Sequence, residues 1–212
     1  GTALREALRR EGAAWAEPKV SDFGAECGSA HYIEQGRIAN EFTPELHTHD
    51  RYGNRIDTVE YHPAYHEMMT LGVKYRAHSW PWAEPRAGAH VARGALGYML
   101  SQTEAGVGCP ITMTFAVVPA LRHQPEIAAA WLPKLIANDY DARHLPIEQK
   151  RSAQMGMAMT EKQGGSDVRA NTTEARALGI GGPGGEYELN GHKWFCSAPM
   201  SDAFLTLAKT PS

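Results

Sequence analysis

Met157-Ala-Met-Thr-Glu-Lys-Gln-Gly-Gly-Ser-Asp167 is the stretch on which the reading of this chain turns. A short apolar run ends in a threonine and gives way to a polar loop carrying Gly164-Gly165-Ser166-Asp167. A double glycine lets backbone approach a ligand closely. Successive backbone N–H groups beside a serine hydroxyl form a cradle for a pyrophosphate. Further along, Asn190-Gly-His-Lys-Trp-Phe-Cys-Ser197 reads as an Asn-Gly hairpin turn entering an aromatic-rich strand. Threonine and serine at strand ends direct hydroxyls and amides at the edge of a heterocycle, and Trp194 or Phe195 covers its face. Together the two stretches predict a sheet-based site for a flat ring bearing phosphate.

The surroundings agree with a sheet. After about Ser152 glycine, threonine and serine rise, and apolar residues fall into short runs at Met155–Thr160, Thr172–Ala177, Glu186–Leu189, Lys193–Cys196 and Ala203–Ala208. The glycine-rich tip Gly179-Ile-Gly-Gly-Pro-Gly-Gly185 joins two of these predicted strands, so it is not a phosphate loop, and no GxGxxG stands in a Rossmann context. Ahead of Ser152 the signals are helical. They predict helices over Ala3–Trp15, with a stop at Glu17-Pro18, and from the Ser21-Asp22 capping signal to about Ile38. Glu41–Thr58 reads as a polar connection with turn chemistry at Tyr52-Gly53-Asn54. Helix resumes from Pro63 towards Ala77, is interrupted by Trp80-Pro-Trp-Ala-Glu-Pro85, and returns over His90–Glu104, Pro110–Leu121 and Glu126–Ile136. Pro119 is expected to kink or end its helix. The fold class is α+β, with an all-α domain over residues 1–152 and the beginning of an antiparallel β-barrel over 153–212.

Composition removes several function classes. With 212 residues, 42% hydrophobic and 21% charged, the chain has the make-up of a soluble globular protein of one large domain or two small ones. A net charge of −3 gives no overall basic footprint for gripping a phosphate backbone. Cys27, Cys109 and Cys196 are too few and too scattered for a disulfide framework or a zinc site, so a reducing cytoplasm is the expected compartment. No apolar run reaches the roughly 18 residues of a membrane span, and no signal-peptide pattern opens the chain. His62 and His66 stand four apart on a helix, a spacing that can hold a metal. Without a third ligand, they and His47-Thr-His49 read as surface or core residues, and no metal is expected. Arg9-Arg10 and Arg151 read as solvated faces.

The paired motifs resemble the acyl-CoA dehydrogenase family. Its middle β-domain carries a Thr-Glu…Gly-Ser-Asp loop and, further on, an Asn-Gly-x-Lys strand with an aromatic residue. Thr160–Val168 with Asn171-Thr-Thr173 is similar to the adaptive-response branch of that family. So are Tyr61-His-Pro-Ala-Tyr65, Gly88–Arg93, Glu104-Ala-Gly106 and Cys109–Ala116. The resemblance implies bound FAD. Met157, Met159 and Thr160 would approach the isoalloxazine ring, and Gly165 and Ser166 the ribityl-pyrophosphate. Phe195 falls where the family usually packs a tryptophan on the flavin, and Ser197 where it usually places a threonine near the reactive nitrogen. The helix Cys109–Leu121 matches the one lining the acyl pocket, which makes Met113 and Thr114 pocket-wall candidates.

The reaction implied is α,β-dehydrogenation of an acyl-CoA thioester. A glutamate removes the α-proton while hydride passes to the flavin. In the family that glutamate lies in a C-terminal helical bundle that these residues do not include. Glu161 is expected to be a loop carboxylate with a structural partner. Lys162 replaces the proline common in the family loop, so that loop's contacts to acyl-CoA do not carry over as they stand. The expected partners are the remainder of the polypeptide, or a companion chain completing the β-domain and bundle, within a homotetramer. The alternative is a DNA-associated protective flavoprotein of the alkylation response, with little turnover and with DNA contacts in the missing region.

Overall fold

Prolines and small residues punctuate the helices. In the computed structural model, which describes residues 1–210, α1 covers Thr2–Arg10 and a 3-10 turn follows at Ala14–Ala16. Glu17-Pro18 does not stop a helix, as the sequence suggested, but opens α2 (Glu17–Cys27). A proline in the first turn forfeits no helical hydrogen bond, and its fixed φ suits a start. The single helix expected to reach Ile38 divides at Gly28. Ser29 then caps α3 (Ala30–Glu41) by accepting from the Tyr32 N–H.

The polar connection over Glu41–Thr58 contains a hairpin, β1 (Glu45–His49) and β2 (Arg55–Glu60), paired antiparallel. The Asp50 carboxylate accepts from the N–H groups of Tyr52 and Asn54, and Gly53 takes φ +87°. That is an Asx-type turn with glycine at the left-handed position. Helix α4 (Pro63–Lys74) starts under His62, whose Nδ1 accepts from the Ala64 N–H at 3.1 Å. After it come the short α5 (Trp80–Ala83), α6 (Ala89–Thr103), α7 (Gly108–Leu121) and α8 (Pro125–Leu135).

Helix α7 is apolar along almost its whole length because it is buried between two cores. Ile111, in its first half, joins Leu8, Phe23, Met68, Leu71, Trp80, Leu96 and Leu100. Val117, Val118 and Leu121, in its second half, join Leu135, Ala153 and Met155. Each such side chain contributes about 1.5–3 kcal/mol of burial. Pro119 lies inside the helix and has no N–H for the Phe115 carbonyl. Trp82 Nε1 donates to that carbonyl at 2.9 Å, so the helix continues to Leu121 with its free acceptor satisfied.

The strands are short. β3 (Met155–Ala158) pairs in parallel with β6 (Ala203–Thr206), and β4 (Glu174–Ala177) pairs antiparallel with β5 (Tyr187–Asn190). The glycine tip closes β4 onto β5, with Gly182 and Gly184 at positive φ. Asn190-Gly191 is not the hairpin turn expected of it, for neither residue has the positive φ of a type I′ turn. Gly191 is needed for proximity instead: a Cβ there would collide with the Thr173 side chain. Lys193–Cys196 forms no strand beyond a bridge at Lys193.

Helical and β portions are tied by polar groups as well as by the second core. Met155 N–H donates to Thr114 Oγ1 at 3.1 Å, and Thr114 Oγ1 donates to Gln154 Oε1 at 3.2 Å. Lys150 Nζ meets Asp202 Oδ1 at 2.5 Å with both side chains almost fully buried, and Asp202 Oδ2 accepts from the Gln154 N–H at 2.7 Å. Among the described residues no helix is long and apolar enough to cross a membrane.

Candidate functional site

The two diagnostic stretches are locked together through Glu161, which is only 2% exposed. Its Oε1 accepts from Lys193 Nζ at 2.9 Å and from the Thr173 N–H and hydroxyl at 3.0 and 2.6 Å. Its Oε2 accepts from the Thr172 N–H and hydroxyl at 2.6 and 3.1 Å and from Gln163 Nε2 at 2.7 Å. Burial alone would raise the pKa of such a carboxyl. The Lys193 ammonium and the Thr172 and Thr173 donors outweigh it and hold the group well below the usual carboxylate range. Glu161 is therefore a clamp and not a proton acceptor, as its sequence context suggested.

Beside the clamp, Trp194 N–H donates to the Thr160 carbonyl at 2.9 Å. The strand that bears Met157 thus carries the segment that bears Phe195 and Ser197. Met157 is half-buried against the second core, and Met159 and Thr160 are half-buried at the strand's end. Gly165 and Ser166 are exposed on the loop. A Cβ on Gly165 would stand 2.8 Å from Thr160 Oγ1, so glycine is what lets the loop fold back over the threonine hydroxyl. The turn through Phe195–Ser197 is tight: Ser197 N–H donates to the Phe195 carbonyl at 3.1 Å. Phe195 and Ala198 sit at φ +57° and +50°, a region costly for a bulky residue and one that recurs at ligand sites. The Phe195 ring is 79% exposed.

Ser197 opens onto a cleft of about 350 Å³ walled by Phe42, Tyr61, Tyr65, Glu104, Cys109 and Ala198. A neighbouring cleft of about 280 Å³ shares Tyr61, Tyr65, Pro110 and Ala198 and reaches the buried Lys150–Asp202 pair. In it Tyr61 stacks on Tyr65 at 4.2 Å between centroids, and the Tyr140 hydroxyl lies 3.0 Å from His66 Nδ1. Burial raises the pKa of the Tyr65 and Tyr140 phenols and lowers that of His66, so all three are neutral at pH 7. Three carboxylates around these clefts are already committed, and a fourth, Glu60, is exposed at their edge. Glu104 accepts from the Gly106 and Val107 N–H groups, Asp141 from Arg143, Asp202 from Lys150, and Glu60 lies 3.2 Å from His47.

Neither Met113 nor Thr114 lines these clefts, where α7 contributes Cys109 and Pro110 instead. Both are buried, and the Thr114 hydroxyl is used up on Gln154 and Met155. His62 and His66, four apart on α4, are engaged separately as a helix cap and as a partner of Tyr140. The clefts themselves escaped the sequence reading because their walls come from β2, α4, the segment before β3 and residues 197–202. No local pattern links those pieces.

The residues present fit a flat, phosphate-bearing cofactor. Among the described residues the hydroxyls of Thr160, Ser166 and Ser197 have no intramolecular partner, and the Phe195 ring, next to the Thr160-bonded Trp194 and two residues from Ser197, stands exposed. Comparison with known proteins gives the context. Residues 1–142 match the family model for the adaptive response protein AidB N-terminal domain, and residues 156–212 match that for the acyl-CoA dehydrogenase middle domain. The chain belongs to the acyl-CoA dehydrogenase family, and within it to the adaptive-response branch. It is 47% identical over 210 residues to AidB of Escherichia coli (strain K12), covering 98% of this chain but 38% of that protein. Its structure is similar to the apo form of Bd2924, with a TM-score of 0.85, 26% identity and coverage of 99% of this chain and 41% of that one. It is also similar to Caenorhabditis elegans ACDH-11 in complex with C11-CoA, with a TM-score of 0.82 and 25% identity, covering 99% and 34%. The chain thus spans well under half the length of these relatives.

Proposed function

We propose that this chain is the N-terminal part of an FAD-dependent, acyl-CoA dehydrogenase-like oxidoreductase, with a helical domain over residues 1–152 and the start of the flavin-binding β-domain over 153–212. The observation that carries the reading is the Glu161 clamp, which holds Thr160 beside the Phe195–Ser197 segment and leaves both hydroxyls free. The family is generally FAD-dependent, and one structural relative was solved with an acyl-CoA.

In this reading the Thr160 and Ser197 hydroxyls hydrogen-bond the edge of the isoalloxazine ring, with Met157 and Met159 close by and Phe195 against its face. Gly165 and Ser166 hold the ribityl-pyrophosphate. The flavin, when bound, supplies the hydride acceptor. What this chain adds is orientation: a tight turn, a threonine held through its carbonyl by the Trp194 N–H, and a cleft of about 350 Å³ beside Ser197 to take an acyl group. Met113 and Thr114 are retained only as support behind that wall. Among the described residues Glu104, Asp141 and Asp202 are engaged by donors and Glu60 is exposed to solvent at the cleft edge, so the α-proton acceptor is assigned to the remainder of the polypeptide or to a companion chain, within a homo-oligomer.

Intact-mass measurement with the visible absorption spectrum of the purified protein tests the proposal. Flavin absorption that diminishes in Ser197→Ala and Thr160→Ala, at unchanged fold, is the expected result. Absorption indifferent to both substitutions, or no flavin uptake even with the rest of the polypeptide supplied, would sink it. The AidB match over residues 1–142 favours a second reading, a DNA-associated protective flavoprotein with little turnover. Turnover of short branched acyl-CoAs against salt-dependent DNA retention separates the two.

A further inference from the structure

A face of the helical domain, built from residues outside the candidate flavin site, concentrates cations on aromatic rings. Arg122 Cζ lies 5.1 Å from the Trp82 ring centroid, Arg93 Cζ 4.0 Å from Phe115, Arg86 Cζ 4.3 Å from Trp15 and Lys19 Nζ 4.3 Å from Trp80. The rings are themselves joined: Trp15 meets Trp80 edge-on at 5.3 Å, Trp82 stacks on Phe115 at 5.0 Å, and His90 abuts Trp82 at 5.2 Å. In a chain of net charge −3 this is a local excess of positive charge. Among the described residues Glu84 is the carboxylate paired with this group, 3.4 Å from Arg86. Among the described residues Lys19, Arg93 and Arg122 have no carboxylate within ion-pair distance.

Between these groups lies an open pocket of about 210 Å³ walled by Pro81, Trp82, Pro85, Arg86, His90 and Arg122. Its walls mix two prolines and an indole with His90 and two exposed guanidinium groups. A guanidinium held over an indole keeps N–H groups at its edge for donation to phosphate and presents its own plane for stacking, and on Arg86 a phosphate would share that edge with Glu84, 3.4 Å from Nη2. Stacking of a base on such a platform, with an adjacent arginine on the phosphate, is the usual chemistry by which proteins hold nucleotides without reading sequence. At about 210 Å³ the pocket is smaller than the roughly 300–1,000 Å³ of sites that enclose a ligand, so it suits a base with its phosphate lying at the open rim.

We propose that this pocket binds a single nucleoside phosphate, with the base stacked on Arg122 where it covers Trp82 and the phosphate held by Arg86. Calorimetric titration of the full chain with AMP, adenosine, inorganic phosphate and a deoxythymidine decamer tests it. AMP is expected to bind saturably, and more tightly than either adenosine or phosphate alone. Arg86→Gln and Arg122→Gln, both on exposed side chains and checked for native circular dichroism, are each expected to weaken AMP binding about tenfold. That is the scale of one lost charge-assisted hydrogen bond or one lost stacking contact. Three results would overturn the assignment: no saturable AMP binding, AMP binding indifferent to both substitutions, or adenosine binding as tightly as AMP. Arginine-dependent binding of the decamer without AMP binding would overturn it too, by showing a strand surface in place of a mononucleotide pocket.

Discussion

At Glu161 six donors converge on one carboxylate, and at His78 a buried imidazole is held neutral. The two residues give the molecule separate pH responses. His78 is almost wholly buried, its Nε2 lies 2.9 Å from the Ala137 carbonyl, and burial lowers its pKa from 6.5 to about 4. The folded state therefore takes up this proton less readily than the unfolded chain. Stability from this group is complete above about pH 6.5 and is lost progressively as pH falls towards 4. At about 1.4 kcal/mol per pKa unit the loss is on the order of 3 kcal/mol. Urea midpoints between pH 7 and 4.5 should show this slope, and His78→Gln should flatten it. Glu161 acts lower. Its depressed pKa contributes stability above the unfolded glutamate value of about 4.3, and this is lost as pH falls below that range. Glu161→Gln should lower the urea midpoint at pH 7, abolish that acid-limb dependence, and weaken flavin uptake by releasing Lys193. An unchanged acid limb would mean that the carboxylate is not the clamp described. Sequence context pointed to Glu161 as structural, but its partners on Thr172, Thr173 and Lys193 lie 11 to 32 residues away and only the fold brings them to it. His78 carries no such mark.

Within the helices, glycines of similar appearance in sequence have opposite roles. Gly36 lies inside α3 where a Cβ would fall against the Thr103 carbonyl of α6, whereas Gly94 in α6 faces open space. Alanine gains about 1 kcal/mol of helix propensity at either site. At Gly94 nothing opposes that gain, and Gly94→Ala should stabilise by about 0.5–1 kcal/mol. At Gly36 the obstructing atom is backbone, so overpacking of roughly 1–3 kcal/mol prevails and Gly36→Ala should destabilise. Thermal melts of the two variants should shift in opposite directions, and a shared direction would contradict the α3–α6 contact. The same contrast explains what was legible along the chain. Helices α4, α6, α7 and α8 were readable from proline starts and apolar spacing, since those signals are local. The β1–β2 hairpin was not, because both of its faces are largely exposed and no apolar alternation exists to read. Asn190-Gly191 misled in the other direction: its glycine answers to Thr173 across the fold, not to a turn.

Over the whole molecule, the helical and β portions are held by a shared second core and by the buried Lys150–Asp202 pair. Removing one partner leaves an unpaired buried charge, so Asp202→Asn or Lys150→Met should cost about 3–5 kcal/mol. The double replacement Lys150→Met/Asp202→Leu should recover much of that loss. Denaturant midpoints of the three variants check this, and equal losses in single and double variants would show that packing alone joins the two parts. The change from a mainly helical portion to a strand-built one, the family and the two motifs are determined by the sequence itself, because helix caps, apolar periodicity and glycine loops act over a few neighbouring residues. Tertiary structure alone decided that Glu161 joins those motifs, that β3 and β6 run parallel, that Thr114 serves the core instead of a pocket, and that cations gather on the rings around Trp82. Those features depend on residues far apart in the chain being brought within bonding distance, and only the packing of helix on helix and helix on strand does that.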